Sequence, residues 1–303
     1  MNYFKNPKNA NFLKITAINL NLKEFKLGES LGRGAYGEVF HCTNLKTKKQ
    51  YAAKVSNIMP KKDMEHYFTR EINSLSHINH PCVIKLAGYS KTSFDGQERP
   101  VLLTEYMNGG SLKKAIDFEF GRSPISNWNN TKKQIILIGM TAGLKALHEK
   151  HIIHRDFKPD NILLDSALSP HIIDFGMSKI LDPGSTINMS MYGGTVSYMA
   201  PEIFDGGDFA YPVDMYAYGV TVYELICGRP AYDKRFVMGK IMNNVVAGIR
   251  PKFIHLKCPD EFEKFIDNCW CQAPESRLTA EEAYNELMTN ENLILPNVDI
   301  DEV

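Results

Sequence analysis

The chain has 303 residues, enough for one large hydrophobic core or for two smaller ones. Lysine plus arginine and aspartate plus glutamate both number 35, so the net charge is zero and gives no reason to expect nucleic acid or an anionic membrane as a partner. The six cysteines form no CxxC pair, which is typical of a reducing compartment, and no apolar signal segment follows Met1. We therefore expect a cytoplasmic protein without a membrane segment.

Strand patterns dominate the chain from Phe25 to Tyr106. A single helix-like stretch, DMEHYFTREINSLSHI, interrupts them at residues 63–78. Its apolar face contains Phe68, Ile72 and Leu75. The strands are expected at FKLGESL, GEVFHCTN, KQYAAKVS and PVLLTEY.

Helical spacing takes over after residue 107. Gly109 and Gly110, followed by Ser111 as a good N-cap residue, predict a flexible joint and the start of a helix. The last residues, 290–303, are acidic, and we expect a poorly ordered tail there. Longer helices are expected at residues 131–152, 212–227, 260–270 and 279–288.

A glycine-rich stretch, LGRGAYGEV, occupies residues 31–39. A lone GxGxxG often marks only a turn, and in a dinucleotide-binding fold it would open a helix. Here the segment after Gly37 alternates like a strand, and no Lys-Ser or Lys-Thr follows as a P-loop requires. A hairpin remains, in which the backbone of Gly32, Gly34 and Gly37 can approach a phosphate because no Cβ obstructs it.

Lys54 lies on the predicted strand YAAKV, with Ala52 on the same face. A single lysine is usually only a solvated surface residue. However, Glu71 falls within the apolar face of the following helix, where an unpaired carboxylate is costly to bury. We therefore predict that Lys54 and Glu71 form an ion pair.

Three further motifs follow in order: HRDFKPDN at residues 154–161, DFG at 174–176 and APE at 200–202. With the glycine hairpin and the lysine–glutamate pair, they resemble a eukaryotic-type protein kinase domain across residues 25–287. The motif sequences are most similar to those of serine/threonine kinases of the tyrosine-kinase-like group.

The resemblance implies an α+β fold with two lobes, a small β-rich lobe with one helix and a larger, mainly helical lobe. The expected boundaries are an N-terminal extension at 1–24, an N-lobe and hinge at 25–107, a C-lobe at 108–289 and the tail at 290–303.

The resemblance also assigns catalytic roles. Asp156 would accept or orient the proton of the substrate hydroxyl, and Lys158 would stabilise the transferring phosphoryl group. Lys54 would bind the α- and β-phosphates, and Glu71 would hold Lys54. Taken outside the motif, an aspartate such as Asp156 could equally be a loop residue that caps backbone groups.

ATP is the implied nucleotide, with Mg²⁺ or Mn²⁺ as the cation. Asn161 and Asp174 would be the metal ligands, since a hard cation requires oxygen donors. The remaining expected nucleotide contacts, several of which could also be ordinary core residues, are Leu31, Gly32, Gly34, Gly37, Val39, Ala52, Thr104, Glu105, Met107 and Leu163.

Other motif residues are expected to be structural. His154 would pack against Phe175, Asp214 would hold the backbone of the catalytic loop, and Arg277 would pair with Glu202.

Two further residues bear on specificity and regulation. Lys158 and a threonine before APE, Thr195, are typical of serine/threonine specificity in the family. Arg155 is the residue expected to pair with a phosphate in the segment between DFG and APE. The candidate hydroxyls, which could also be merely solvated, are Ser185, Thr186, Ser190 and Tyr192.

Two alternatives to a serine/threonine kinase stay open. A pseudokinase that serves as an ATP-binding or scaffold module commonly lacks one of four residues, all of which are present here: Lys54, Asp156, Asn161 and Asp174. The other is a dual-specificity kinase that also accepts tyrosine. A protein substrate is implied in every catalytic case, whereas the sequence indicates neither its identity nor an oligomeric state.

Overall fold

The computed structural model describes residues 18–34, 36–57, 61–181, 187–188, 195–204, 206, 208–232, 237–253 and 259–303, with only the backbone described at 61–66, 187–188 and 208–209. The chain divides into two compact units. The small unit comprises the described residues up to Asn79 together with Lys85–Tyr106, and the large unit comprises His80–Ile84 and the described residues from Met107 onward.

The small unit is built on a five-stranded antiparallel sheet in the order β1-β2-β3-β5-β4. In β3, Ala53 and Val55 point into the core while Ala52 and Lys54 take the opposite face, which is the period-two alternation that the sequence predicts. The elements are β1 (Phe25–Arg33), β2 (Gly37–Asn44), β3 (Gln50–Ser56), helix α1 (Lys61–His77), β4 (Leu86–Ser90) and β5 (Val101–Glu105).

Strand β4 is the one strand of this sheet that the sequence patterns did not indicate. Gly88 interrupts it at φ +156°, and a Cβ there would lie 2.5 Å from the carbonyl oxygen of Ile18. The glycine admits the segment before β1, whose Leu20 N–H donates to Tyr89 O at 2.7 Å. Residues 18–20 of the predicted N-terminal extension therefore lie along β4.

The large unit is mainly helical, as expected. Helix α5 (Pro212–Cys227) is almost wholly buried, which explains why its sequence is apolar on every side. Short antiparallel pairs join β6 to β9, β7 to β8 and β10 to β11. The other helices are α2 (Leu112–Phe120), α3 (Asn130–Glu149), α4 (Pro201–Phe204), α6 (Met238–Val246), α7 (Asp260–Cys269) and α8 (Ala280–Thr289), and the strands are β6 (Ile152–Ile153), β7 (Ile162–Leu164), β8 (Pro170–Ile172), β9 (Lys179–Ile180), β10 (Ile187–Asn188) and β11 (Asp208–Phe209).

The Gly109–Gly110 pair has a packing role that the sequence did not indicate. Ser111 is the predicted N-cap of α2, since its hydroxyl accepts from Lys114 N. However, a Cβ on Gly109 would lie 2.4 Å from Asp165 O, and Gly109 N donates to Leu164 O at 2.9 Å. The pair is thus bonded to β7 rather than forming a loose joint.

The prediction of a poorly ordered tail at 290–303 is wrong. Leu293 and Leu295 are buried, and the backbone N–H of Leu295 donates to the Gln134 side chain of α3. Further along, Asp299 N donates to Thr131 Oγ1 at 2.9 Å. These apolar anchors outweigh the acidic composition on which the expectation depended.

Among the described residues, no helix combines the length and the hydropathy that a membrane crossing requires.

Candidate active site

The glycine hairpin joins β1 to β2 in the small unit. Gly34 N donates to Gly37 O at 2.8 Å and closes the turn, and a Cβ on Gly37 would lie 2.6 Å from Val55 O. Gly37 is therefore required by the close approach of β3. By contrast, a Cβ on Gly32 would meet no atom within 4 Å, so packing within the chain does not explain a glycine there. Such a position suits the close approach of a ligand to the backbone.

Lys54 and Glu71 form the predicted ion pair. Lys54 Nζ donates to both carboxylate oxygens of Glu71, at 3.0 and 2.9 Å. Glu71 lies on the buried face of α1 with 6% of its side chain exposed, whereas Lys54 retains 21%. The lysine therefore joins β3 to α1 while part of its side chain faces solvent.

The expected adenine contacts are distributed over both units. In the small unit, Ala52 pairs with Thr104 across β3 and β5, and Val39 pairs with Lys54 across β2 and β3. Glu105 has its backbone N–H bonded to Lys85 O at 3.1 Å. The small unit also holds Leu31, which is 42% exposed, and the large unit holds Met107 and Leu163.

Asp214 fixes the backbone of the catalytic segment in the large unit, as predicted. Its carboxylate accepts from His154 N at 2.7 Å and Arg155 N at 2.8 Å, and it contacts His148 Nε2 at 3.1 Å. Burial by itself would raise the pKa of Asp214, but the hydrogen bond and charge of His148, with His154 and the Arg155 N–H, hold that pKa below its ordinary value. The buried carboxylate is therefore kept ionised by His148 of α3 together with the segment that it organises.

Asp156 lies at the centre of a cluster of hydrogen bonds. Lys158 Nζ donates to Asp156 Oδ2 at 2.6 Å and to Thr195 Oγ1 at 2.8 Å. The Asn161 amide nitrogen donates to Asp156 O at 2.7 Å and to Asp156 Oδ2 at 2.9 Å. These bonds orient the amide so that its acceptor oxygen is turned away from Asp156.

The segments carrying Asn161 and Asp174 are joined by a backbone hydrogen bond from Ile173 N to Asn161 O at 2.9 Å. Asp174 takes a left-handed conformation, φ 64° and ψ 72°, which costs free energy in a residue other than glycine. His154 and Phe175 are fully buried edge to face at 5.1 Å, as predicted for structural residues. This packing supports the strained turn on which Asp174 lies.

Arg277 and Glu202 form the predicted buried pair. Arg277 Nη1 and Nη2 each donate to one oxygen of Glu202 at 2.7 Å, and Nε donates to Cys271 O at 2.9 Å. The guanidinium also lies over the ring of Tyr216, 5.2 Å from its centroid. All three guanidinium nitrogens therefore donate within the protein, which identifies a structural residue.

A second buried carboxylate, Glu224, was missed from the sequence. It accepts from Tyr198 OH at 3.0 Å and from Ala231 N at 2.8 Å. Burial raises the pKa of Glu224 above its ordinary value. The available signal was an acid inside the apolar run of α5, which also contains Asp214, and it is the same kind of signal that identified Glu71.

The candidate regulatory hydroxyls, Ser185, Thr186, Ser190 and Tyr192, lie outside the described residues.

The protein kinase domain family matches residues 25–288. The chain belongs to the protein kinase family. This membership confirms the predicted α+β fold class and the predicted enzyme class, a protein kinase. The kinases among its relatives, described next, support the serine/threonine type and do not favour the pseudokinase alternative.

Curated relatives include myosin light chain kinase A of Dictyostelium discoideum, 38% identical over 69% of this chain and 68% of its own length. An Aurora kinase of Eremothecium gossypii is 34% identical over 71% and 56%, respectively. An LRR receptor-like serine/threonine-protein kinase of Arabidopsis thaliana is 36% identical over 70% and 20%. The chain thus spans less than two thirds of the length of two of these three relatives. The likeness to the tyrosine-kinase-like group stays a prediction.

Proposed function

We propose that the protein transfers the γ-phosphate of ATP to serine and threonine hydroxyls of other proteins, with Asp156 and Lys158 as catalytic residues. The observation that carries this proposal is the pair of hydrogen bonds from Lys158 to Asp156 and Thr195. Phosphoryl transfer requires positioning and charge stabilisation more than covalent chemistry. These bonds support both requirements. The Lys158 ammonium group orients the Asp156 carboxylate and places a positive charge beside it.

In this reaction Asp156 would orient the substrate hydroxyl and take up its proton as the oxygen bonds to phosphorus. Lys158 would place its charge on the transferring phosphoryl group. Thr195 Oγ1 also accepts from Lys158, at 2.8 Å, so two acceptors orient the ammonium group. The substrate hydroxyl would thus meet an Asp156 carboxylate that is already oriented.

For nucleotide binding we propose two sets of residues, one in each unit. In the small unit, Gly32 and Gly34 expose backbone with room beside it, and Lys54 carries the charge for the phosphates. In the large unit, Met107 and Leu163 would contact the base. The other proposed nucleotide contacts of the small unit are Leu31, Gly37, Val39, Ala52, Thr104 and Glu105.

The oxygen donors of Asn161 and Asp174 fit a hard divalent cation, Mg²⁺ or Mn²⁺. The fit rests on the orientation of the Asn161 amide, whose nitrogen is bonded to Asp156 and whose oxygen is therefore the atom presented to a cation. When bound, the cation would neutralise part of the negative charge on the phosphates. Asp174 is held in place by the strained turn described above.

We also propose regulation by phosphorylation between DFG and APE, with Arg155 as the residue that binds the phosphate. Ser185, Thr186, Ser190 and Tyr192 are the candidate acceptors. Mass spectrometry of active protein should find phosphate on one of them, and active protein without phosphate at all four would contradict the proposal.

We place the activity in the cytoplasm. The support is the set of five described cysteines, none of which forms a disulfide, because free thiols are typical of reducing compartments.

The experiment that tests the proposed specificity incubates purified protein with labelled ATP, Mg²⁺ and a generic protein substrate, and identifies the phosphorylated residues by mass spectrometry. We expect phosphoserine and phosphothreonine. A Thr195→Ser variant keeps the hydroxyl for Lys158 and should retain activity, while Thr195→Val should lose most of it. Phosphate on tyrosine alone would overturn the proposal, and phosphate on all three residue types would establish dual specificity instead.

A further inference from the structure

Two tyrosines join the glycine hairpin to helix α1 in the small unit. The ring of Tyr36, at the tip of the hairpin, stacks on the ring of Tyr67 with centroids 3.9 Å apart and planes 19° apart. Both residues are only half-buried, so the burial of apolar surface is a weak reason for this contact. The stack therefore fixes a geometry more than it fills a core.

The same tyrosine also contacts the lysine that we assign to the phosphates. Lys54 Nζ lies 5.0 Å from the centroid of the Tyr67 ring, a distance at which a cation is attracted to an aromatic face. Tyr67 precedes Glu71 by four residues, so the two side chains share one face of α1. Helix α1 thus holds the ammonium group with a carboxylate and with a ring.

Among the described residues, Asn57 also fastens the hairpin to this part of the unit. Asn57, just after β3, donates its backbone N–H to Tyr36 O at 3.0 Å and its side-chain amide to Gly34 O at 3.2 Å. These two bonds tie the hairpin to β3, whereas the ring stack ties it to α1. A displacement of α1 along its axis would therefore disturb Lys54 and the hairpin together.

We propose that Tyr67 is a positioning residue for ATP: its ring couples the glycine hairpin, through Tyr36, to the Lys54–Glu71 pair. The inference rests on the proposed function, because Lys54 and the hairpin are its nucleotide-binding groups. Tyr67 itself acts through these groups and does not act on the substrate. The aromatic ring of Tyr67 carries this positioning role, and its hydroxyl is not required for it.

The first test needs no activity. Amide hydrogen exchange of the hairpin, residues 32–37, is measured in the nucleotide-free protein for wild type, Tyr67→Leu and Tyr67→Phe. We expect Tyr67→Leu to speed exchange at Gly34 and its neighbours about three- to tenfold, the size of one aromatic pair, and Tyr67→Phe to change it less than about twofold. Equal exchange in wild type and Tyr67→Leu would overturn the stack as a fastening.

The second test is a double-mutant cycle on MgATP binding and turnover, with Tyr36→Leu, Tyr67→Leu and the double variant. Each single change should raise the Kd and the KM for ATP about three- to tenfold while kcat falls by less, and the double variant should resemble the single ones. Tyr67→Phe should restore wild-type values. A matched control is Tyr284→Leu in the large unit, which removes a ring from a similar lysine contact, 5.6 Å to Lys145, and should leave the Kd for ATP unchanged.

Failure of this inference can be distinguished from failure of the proposed function. If wild type binds MgATP and transfers phosphate but the single effects simply multiply in the double variant, the coupling is refuted and the kinase activity stands. If wild type binds MgATP without transferring phosphate, the activity is refuted and a cycle that is not additive still supports the coupling. If wild type does not bind MgATP, both proposals are overturned.

Discussion

The two units hold their functional charges in different ways. In the small unit, Lys54 is fixed by side chains of a neighbouring helix, Glu71 and Tyr67, and part of the lysine faces solvent. In the large unit, the catalytic segment is fixed through its backbone, because the buried carboxylate of Asp214 accepts from two successive N–H groups.

This difference predicts different consequences when a contact is lost. A buried carboxylate that satisfies backbone N–H groups cannot be replaced by water, so its removal should weaken the whole unit. The Lys54–Glu71 pair should contribute less, since Lys54 keeps exposed surface and can be hydrated when Glu71 is replaced. The small unit is therefore suited to rearrangement and the large unit to rigid support.

The largest effect on stability is expected for Asp214→Asn. The amide keeps one acceptor and turns a donor toward a backbone N–H, so we expect the free energy of unfolding to fall by about 3 kcal/mol. Urea denaturation measures it, with Asp301→Asn in the exposed tail as a matched control. If the free energy of unfolding changes no more in Asp214→Asn than in Asp301→Asn, the proposed difference between the two units is contradicted.

The next effect is expected for Arg277→Lys. Lysine keeps the charge but cannot make the two-pronged bond to Glu202 together with the bond to Cys271 O, so a loss of about 2 kcal/mol is expected. The exposed Arg122→Lys serves as the control in the same urea experiment. If the two variants unfold at the same urea concentration, Arg277 is not the support that its contacts indicate.

Glu71→Gln tests the same difference between the units in the small unit. Because 21% of the Lys54 side chain is exposed and can be hydrated, we expect the free energy of unfolding to fall by no more than about 1 kcal/mol. Catalytic efficiency, kcat/KM for ATP, should nevertheless fall at least about tenfold because Lys54 loses its orientation. The exposed Glu29→Gln should change neither quantity. A Glu71→Gln variant that loses stability but keeps its efficiency would reverse our assignment of the two units.

The smallest effect concerns pH. The pKa of Glu224 is raised by burial above its ordinary value of 4.5, so the folded protein holds this proton to a higher pH than the unfolded chain does. The contribution of Glu224 to stability is therefore greatest below pH 4.5 and is lost as the pH rises through the folded pKa. Glu224→Gln should remove this part of the decline, whereas the exposed Glu281→Gln should leave it unchanged. Parallel stability curves for wild type and Glu224→Gln as the pH rises above 4.5 would contradict the assignment.

Much of the fold could be predicted because its elements have strong periodic patterns. Helix α5 spans the predicted residues 212–227, and the four predicted strands of the small unit are all present. Strand β4 was missed because Gly88 weakens its pattern, and the reason for that glycine is a contact with Ile18, 70 positions earlier. The ordered tail was missed because two buried leucines, Leu293 and Leu295, are a weak signal beside four acidic residues.

The site could be predicted where a charge stands among apolar residues. Glu71 was identified in this way, and Asp214 was assigned through the family resemblance; both have the expected partners. Tyr67 could not be identified, because a tyrosine on a partly apolar helix face is ordinary in sequence. Its role depends on the distance to Tyr36, which is fixed by tertiary structure alone.

The most direct test of the central claim compares wild type with Asp156→Asn in phosphate transfer from labelled MgATP to a protein substrate. The amide cannot take up the hydroxyl proton, so we expect the rate to fall about 10²- to 10⁴-fold while the Kd for MgATP stays within about threefold. Glu149→Gln, which removes an exposed carboxylate from the same unit, should transfer phosphate at the wild-type rate. Equal rates for wild type and Asp156→Asn would contradict the account.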